Sequence, residues 1–547
     1  MQEQLGDTPS SEGRDWLKIV SVVLLACAGV LYLKVLASSL RQHEFDDSYM
    51  FVRYAYQLAH GRGFAWNPDG VQTYGATSLL YVLVVAAFHA LVPLGPTPLV
   101  TLASALLGLG ALALLVLTVT KNARSEILRA PVVAAALVVV PLVFQRGFAF
   151  HAATGMDTTL AILCNTTLIF SVLSYAKAPS PRALAGVCAC AWLSFAARPD
   201  DAIYALGFPT LYLALHLPTL RHAARFLAIT LALLSLDALA KRHWFGSPFP
   251  LSVYVKSRGF YEGYIGAWRW NPIEYLLYFA AAAAPFLAMI VLGVRRTNLR
   301  TVAAFTLPVA LTFLYYFRAI QIMGHFARYY FPGLPFVVVV GVLLLDERLV
   351  GVRMAEARPP LTRGLVSVAI FAVAFGFADR IEDAYGVRYL GLRAAPQVTL
   401  LDGLPSLGWD PAMTAFSRIA ERLPQDAVIA ATEVGYLGAD LPELTLVDLA
   451  GLNDNTLARQ GFSAAYVESR HPDLIWMPHR EYTGLNKALL ASSELAARYD
   501  YYPGAFEFGL AVRKDTRLRS DVMRAVQAVW EETYPGVDMA SHRTELH

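Results

Sequence analysis

Charge is what this sequence has least of. Of its 547 residues only 16% are Asp, Glu, Lys or Arg, against 56% that are apolar, whereas average soluble proteins carry about 25% charged residues. That scarcity excludes an ordinary soluble domain over most of the chain. The formal net charge of +3 is too small, and its cations too scattered, for a nucleic-acid partner. Cysteine is nearly absent as well. Cys27, Cys164, Cys188 and Cys190 all lie inside apolar runs, as small buried hydrophobes do, so neither a disulfide framework nor a cysteine metal site is expected. Also missing are the glycine fingerprint of dinucleotide-binding folds, the P-loop and the H-E-x-x-H helix. Their absence argues against a nucleotide-sugar donor and against a membrane protease.

What the chain has instead is long hydrophobic runs, with a mean hydropathy of +0.45. Runs near 17–37, 97–119, 130–145, 158–175, 183–197, 202–217, 226–240, 273–293, 301–317, 331–346 and 364–378 are read as spans. About 20 apolar residues cross a hydrocarbon core of about 30 Å. The expected fold is therefore an α-helical polytopic membrane protein of about eleven spans. The polar, acidic N-terminus lacks a small-residue cleavage site after a short apolar core, so the first span reads as a signal anchor.

Short basic loops around Lys121 to Arg129, Lys177 to Arg182, Arg221 to Arg225, Arg295 to Arg300 and Arg348 to Arg363 belong in the cytoplasm by the positive-inside rule. They alternate correctly only if 76–92, a short run interrupted by His89, lies in the interface or re-enters. The first outer loop is then 38–96. The outer loop 241–272 breaks the charge rule with Lys241, Arg242, Lys256, Arg258 and Arg269. Two readings stand: a phosphate-bearing ligand, or cations snorkelling at span ends.

From about residue 379 the composition becomes that of a soluble domain. A helix over 411–423, strand-like runs at 427–431, 444–447, 474–477 and 506–513, and helices near 486–497 and 519–531 suggest an extracytoplasmic α/β domain over 379–547. Residues 1–378 form the transmembrane domain.

Carboxylates at the membrane edge are costly and point to function. Asp46 and Asp47 follow the first span directly. Glycosyl transfer from a phosphate ester needs a carboxylate to take the acceptor hydroxyl's proton and cations to hold the departing phosphate. The pair meets the first need. The competing reading is a helix N-cap for the stretch Tyr49 to His60. A divalent cation at Asp46 and Asp47 is compatible with the sequence but not required by it, and no other cofactor is indicated.

The segment Gly61-Arg62-Gly63-Phe64-Ala65-Trp66-Asn67-Pro68, leading through Tyr74 to Thr77-Ser78, follows the acidic pair. Downstream come Thr154-Gly155-Met156-Asp157-Thr158, Ala197-Arg198-Pro199-Asp200-Asp201 and Arg328-Tyr329 before Phe331-Pro332. Gly435-Tyr436-Leu437-Gly438 then leads to Asp448 and Gly451-Leu452-Asn453-Asp454. In this order the motifs resemble the GT-C superfamily, and within it the terminal arabinofuranosyltransferases of the B type. Thr77-Ser78-Leu79 stands where Ser-Pro is usual, and Asn453 where Thr is frequent.

That resemblance implies a multi-pass enzyme of the bacterial inner membrane, with its active site on the outer face. It would move a sugar, arabinofuranose by preference, from a polyprenyl-phosphate donor to a glycan, glycolipid or protein acceptor. It implies that Asp46 or Asp47 is the base and that Arg328, with Lys256, His325 and Arg198, binds the donor phosphate. Tyr74, Asp157, Asp200, Glu433, Tyr436 and Asp448 would then contact substrate. Against each stands an ordinary alternative: a helix cap for Asp157, a local ion pair for Arg198 with Asp200, loop chemistry for Glu433, Tyr436 and Asp448. At the level of the whole chain the alternatives are a mannosyl- or hexosyltransferase, a polyprenyl-lipid flippase and a membrane scaffold.

Overall fold

The computed structural model describes residues 12–40, 45–257, 260–265, 272–317, 327–350 and 400–544. Sixteen helices precede residue 350 among them: α1 (Glu12–Ser39), α2 (Asp46–Ala59), α3 (Leu79–Leu91), α4 (Pro96–Asn122), α5 (Glu126–Arg129), α6 (Pro131–Phe144), α7 (Arg146–Ala153), α8 (Thr158–Lys177), α9 (Pro181–Ala197), α10 (Ala202–His216), α11 (Arg221–Phe245), α12 (Leu251–Ser257), α13 (Phe260–Ile265), α14 (Pro272–Gly293), α15 (Leu299–Tyr316) and α16 (Leu334–Leu349). Local chemistry sets several starts. Pro96, Pro131 and Pro181 open α4, α6 and α9 at a position whose N–H has no helical partner anyway. The Ser180 hydroxyl accepts from the Ala183 N–H to cap α9.

Six of these helices are long and apolar enough to cross a membrane: Trp16–Ser39, Pro96–Asn122, Thr158–Lys177, Arg221–Phe245, Tyr275–Gly293 and Leu299–Tyr316. A seventh crossing results if α6 and α7, bent by 78° at their junction, act as one. The chain is thus an α-helical multi-span membrane protein. Fewer helices pass the length test than the eleven runs suggest, because α9, α10 and α16 are 17, 15 and 16 residues long. The expected span at 364–378 lies outside the described residues. So does the expected domain boundary at 378/379.

Helix α3 has 13 residues, about 20 Å at 1.5 Å per residue, too short to cross. It packs Tyr81, Val82 and Val85 inward and leaves Leu83, Leu91 and Val92 exposed. Apolar side chains likewise cover the outer faces of α1 (Val22, Val23, Val30, Leu33), α11 (Leu236, Leu239) and α14 (Leu277, Val291). Exposed apolar faces on this scale suit hydrocarbon as the solvent. Inside the bundle, Gly341 of α16 lies against the Phe286 carbonyl of α14, where a Cβ would come within 2.7 Å of that oxygen. The two helices need glycine there to pack.

Residues 400–544 form an α/β unit. A two-residue hairpin pairs β1 (Leu400–Leu401) with β2 (Leu404–Pro405). The main sheet contains β3 (Val428–Ala431), β4 (Thr445–Asp448), β5 (Leu474–Trp476), β6 (Tyr499–Tyr502) and β7 (Leu510–Arg513), in the order β4-β3-β5-β7-β6. β4, β3 and β5 are parallel, with Ala430 opposite both Val447 and Ile475. β7 and β6 are antiparallel additions. The strand β6 is not foreseen from the sequence. It is an edge strand in which Asp500 interrupts three tyrosines, and Arg519 satisfies that carboxylate. The run 506–513 is a strand only from Leu510, because Phe506 and Glu507 adopt left-handed backbone in a 3-10 turn. Two helices of this unit matter below: α17 (Trp409–Glu421) and α18 (Gly435–Asp440).

Candidate active site

Asp46 and Asp47 occupy the first turn of α2, but neither caps it. Phe45 is the capping residue and makes no side-chain bond. Their roles separate at once. Asp46 is only 6% exposed, and its carboxylate accepts the backbone N–H groups of Gly435 (2.7 Å) and Tyr436 (2.8 Å). It thus caps α18 of the α/β unit across nearly 390 positions of sequence. Burial pushes its carboxyl up to about 6 against those two N–H bonds, with the charge of Asp47 adding to the rise.

The glycines of the Gly-Tyr-Leu-Gly segment follow from the same contact. A Cβ on Gly435 would overlap the Asp46 carbonyl, and one on Gly438 would come within 2.8 Å of the Arg53 Cδ. Arg53 is fully buried. It donates to the carbonyls of Trp66, Gly438, Leu441 and Leu444 and to the Asn67 side chain, at 2.6–3.3 Å. The segment between α1 and α4 and the α/β unit are therefore one packed body at this point.

Asp47 points elsewhere. Its side chain is 22% exposed and lies 3.4 Å from the Arg328 guanidinium. Arg328 is buried, yet its Nε and Nη1 have no acceptor among the described residues. A buried guanidinium with unmade bonds is costly unless an anion completes it. The same guanidinium stands 5.0 Å from the ring centroid of Tyr329.

Tyr329 is the hub that sequence reading did not single out. Arg198 lies 5.3 Å and Lys256 5.9 Å from its ring centroid. Burial would raise its phenol, but Arg328, Lys256 and Arg198 together hold it below the ordinary value. Its place beside Arg328 was the available signal, an aromatic within the only motif segment that pairs Arg with Tyr. Arg198 in turn bonds Asp157 (3.3 Å) and Asp200 (2.7 Å), and Tyr316 donates to Asp200. Asp157 stands at the start of α8 without capping it. It accepts from Thr77 instead (3.3 Å), joining the segment before α3 to Arg198. Gly155 makes this turn with a left-handed φ of 75°, packed against Val100.

Arg328, Lys256 and Arg198 thus flank one aromatic ring, with Asp47 paired to Arg328 and Asp157 and Asp200 paired to Arg198. Half-buried Glu433 approaches from the α/β unit. Burial, then the fields of Asp46 and Asp47, push its carboxyl well above the usual range. Tyr436 meets Tyr49 edge to face at 5.1 Å.

Three expected residues stand apart. Tyr74 stacks on Phe245 at 5.0 Å, with Lys241 5.8 Å from its ring. Asp448 is buried and accepts from Ala450 and twice from Asn453, so it shapes its own loop. Asn453 passes the link on, accepting from the Tyr54 hydroxyl of α2 (3.0 Å). His325 lies outside the described residues. No group of three His, Cys, Asp or Glu side chains that could hold a metal occurs among the described residues, and both oxygens of Asp46 are already engaged.

The Asp448 carboxyl gives a pH prediction. Burial lifts it from 3.8 to about 7 against its hydrogen bonds, so the folded chain holds that proton more tightly than the unfolded chain. Its contribution to stability is complete below 3.8 and is lost as pH rises through about 7. Melting temperatures of the purified chain should fall over that interval, and Asp448→Asn should flatten the slope. An unchanged slope would contradict the assignment.

Residues 408–524 match a family model described as a domain of unknown function, DUF8728. No curated protein matches the chain. Among solved structures the chain is similar to the crystal structure of ArnT from Cupriavidus metallidurans in the apo state. Identity is 15% with a TM-score of 0.48, over 90% of this chain and 97% of that one. It is also similar to the archaeal oligosaccharyltransferase AglB from Archaeoglobus fulgidus, in complex with an inhibitory peptide and a dolichol-phosphate. There identity is 12% and the TM-score 0.46, over 92% of this chain and 77% of that one. Likenesses this loose say nothing of chemistry.

Proposed function

We propose that the chain is a membrane glycosyltransferase that takes a sugar from a polyprenyl-phosphate donor. The observation that carries this reading is the buried Arg328 guanidinium, lacking described acceptors at Nε and Nη1 while its Nη2 faces Asp47. A phosphate oxygen suits either free N–H as a charge-assisted acceptor. The carboxylate beside it is then next to the bond that breaks.

In this mechanism Asp47, rather than Asp46, takes the proton from the acceptor hydroxyl. That oxygen attacks the anomeric carbon, the carbon–oxygen bond to phosphate breaks, and the polyprenyl phosphate leaves with the electron pair. Arg328 and Lys256 stabilise its charge. One displacement inverts the anomeric centre. Asp46 holds the α/β unit in place, and Arg198 is oriented by Asp157 and Asp200. Arabinofuranose is the sugar favoured by the sequence resemblance, with an extracytoplasmic glycan or glycoconjugate as acceptor. The positive-inside distribution supports an outward-facing site in a bacterial inner membrane, with the extracytoplasmic domain beginning near residue 379.

Binding of polyprenyl monophosphate to the full-length protein in detergent tests the phosphate ligand. Arg328→Gln should weaken it about 10–100-fold, the loss of charge-assisted hydrogen bonds of about 1.5–3 kcal/mol. Equal binding by a folded Arg328→Gln would overturn the assignment.

A further inference from the structure

The parallel part of the sheet has a switch in its connections. The chain leaves β3 towards β4 on one side, and β5 then pairs with β3 on the other. In open α/β sheets the loops after two such strands diverge, and ligands bind in the crevice between them at the carboxyl ends of the strands. Here those loops are Thr432-Glu433 after β3 and Met477-Pro478-His479 after β5. They are tied together: the His479 backbone N–H donates to the Thr432 hydroxyl (3.1 Å), and that hydroxyl donates to Glu433 (3.3 Å). Glu433 feels the charges of Asp46 and Asp47. One wall of the crevice, Glu433, therefore lies within electrostatic reach of that acidic pair.

Its lining has a consistent chemistry. Trp409, at the first position of α17, lies 5.9 Å from the His479 ring and 6.1 Å from Phe508, and His479 lies 5.0 Å from Phe508. All three rings are half-buried. The His479 Nδ1 accepts from the Glu481 N–H (3.3 Å), which puts the ring proton on Nε2, and no described residue accepts from Nε2. Burial keeps this imidazole neutral by lowering its proton affinity. The nearby cation, Arg480, is taken by Glu507 at 2.6 Å. The surface thus offers aromatic faces and an uncharged donor. That combination suits the C–H face and hydroxyls of a neutral sugar ring better than an anion or a peptide charge.

We propose that the crevice between the β3 and β5 loops, lined by Trp409, His479 and Phe508, is a subsite for a neutral sugar unit of the acceptor glycan. This rests on the glycosyltransferase reading and extends it, placing an acceptor residue remote from the reacting hydroxyl on the α/β unit.

The test is equilibrium binding of labelled short oligosaccharides of arabinofuranose, galactofuranose and mannose to the full-length protein in detergent, without donor. At least one should bind the wild type. Trp409→Ala and His479→Gln should each weaken it about tenfold, the order of one lost stacking or hydrogen-bonding contact, while Trp409→Phe keeps most of it. His479→Gln serves if Trp409→Ala does not fold. Failure of every oligosaccharide to bind the wild type, or equal binding by folded His479→Gln and Trp409 variants, would overturn the subsite. Donor turnover is read on the same preparations. Oligosaccharide binding without turnover of any donor would remove the transfer reaction and keep the subsite. Turnover with binding unmoved by the variants would do the reverse.

Discussion

Asp47→Asn should lower the rate of sugar transfer by about 10²–10⁴-fold, the range a positioned general base contributes, while leaving the fold intact. The side chain is partly open to solvent and its described partner is the single 3.4 Å contact with Arg328, so an amide of the same shape fits without a buried bond being lost. Asp46→Asn should behave differently. Its carboxylate accepts two backbone N–H groups, and an amide that turns its NH2 towards one of them leaves a donor facing a donor. That variant should lose thermal stability along with activity. A kinetic defect without a stability defect at Asp47, and the two together at Asp46, would separate base from tether. If Asp46→Asn proved stable and inactive while Asp47→Asn remained active, the roles assigned here would be exchanged.

Arg53→Leu should be the most destabilising substitution outside the membrane core. Removing the guanidinium leaves the buried carbonyls of Trp66, Gly438 and Leu444 without it as donor, while Leu441 and Asn67 keep the Leu444 and Leu446 N–H groups. Unmade buried hydrogen bonds cost about 1–3 kcal/mol each. Partial relaxation and water entry keep the total near about 4 kcal/mol, at the upper end for single substitutions. Thermal unfolding of the full chain in detergent, followed by protease susceptibility of residues 400–544, measures it. Arg62→Ala is the natural comparison. Its ion pair with Glu443 is partly open to solvent, the side chains being 28% and 42% exposed, so screening makes the effect of its loss much smaller. Equal stability of the two variants would contradict the docking role of Arg53.

The contrast between Arg53 and Arg328 shows what could be read from the sequence and what could not. Arg328, Arg198, Asp157 and the Asp46-Asp47 pair stand out in the primary structure because a charge at the edge of an apolar run needs a reason. Arg53 sits in an amphipathic helix where an arginine is ordinary, and its partners are backbone carbonyls, which carry no signature of residue type. The bond between Asp46 and the Gly435 amide is hidden for the same reason. The glycines at 435 and 438 are visible as a motif, but only the structure shows that they admit α2. Apolar runs locate the helices well. Among the described residues six helices pass the length test for a span, and the runs of 15–17 residues in α9, α10 and α16 fall just short of it. In the α/β unit the apolar strands β3, β4 and β5 are legible, whereas the tyrosine-rich edge strand β6 lacks the alternation that marks a strand.

Transfer of radiolabelled sugar by the purified protein from a panel of synthetic polyprenyl-monophosphate sugars, arabinofuranose among them, tests the central claim most directly. Wild-type protein should turn over at least one donor, and folded Asp47→Asn should lose that turnover. A donor turned over equally by Asp47→Asn would contradict the proposed site. No turnover of any donor, with acceptors of every class supplied, would contradict the glycosyltransferase reading itself.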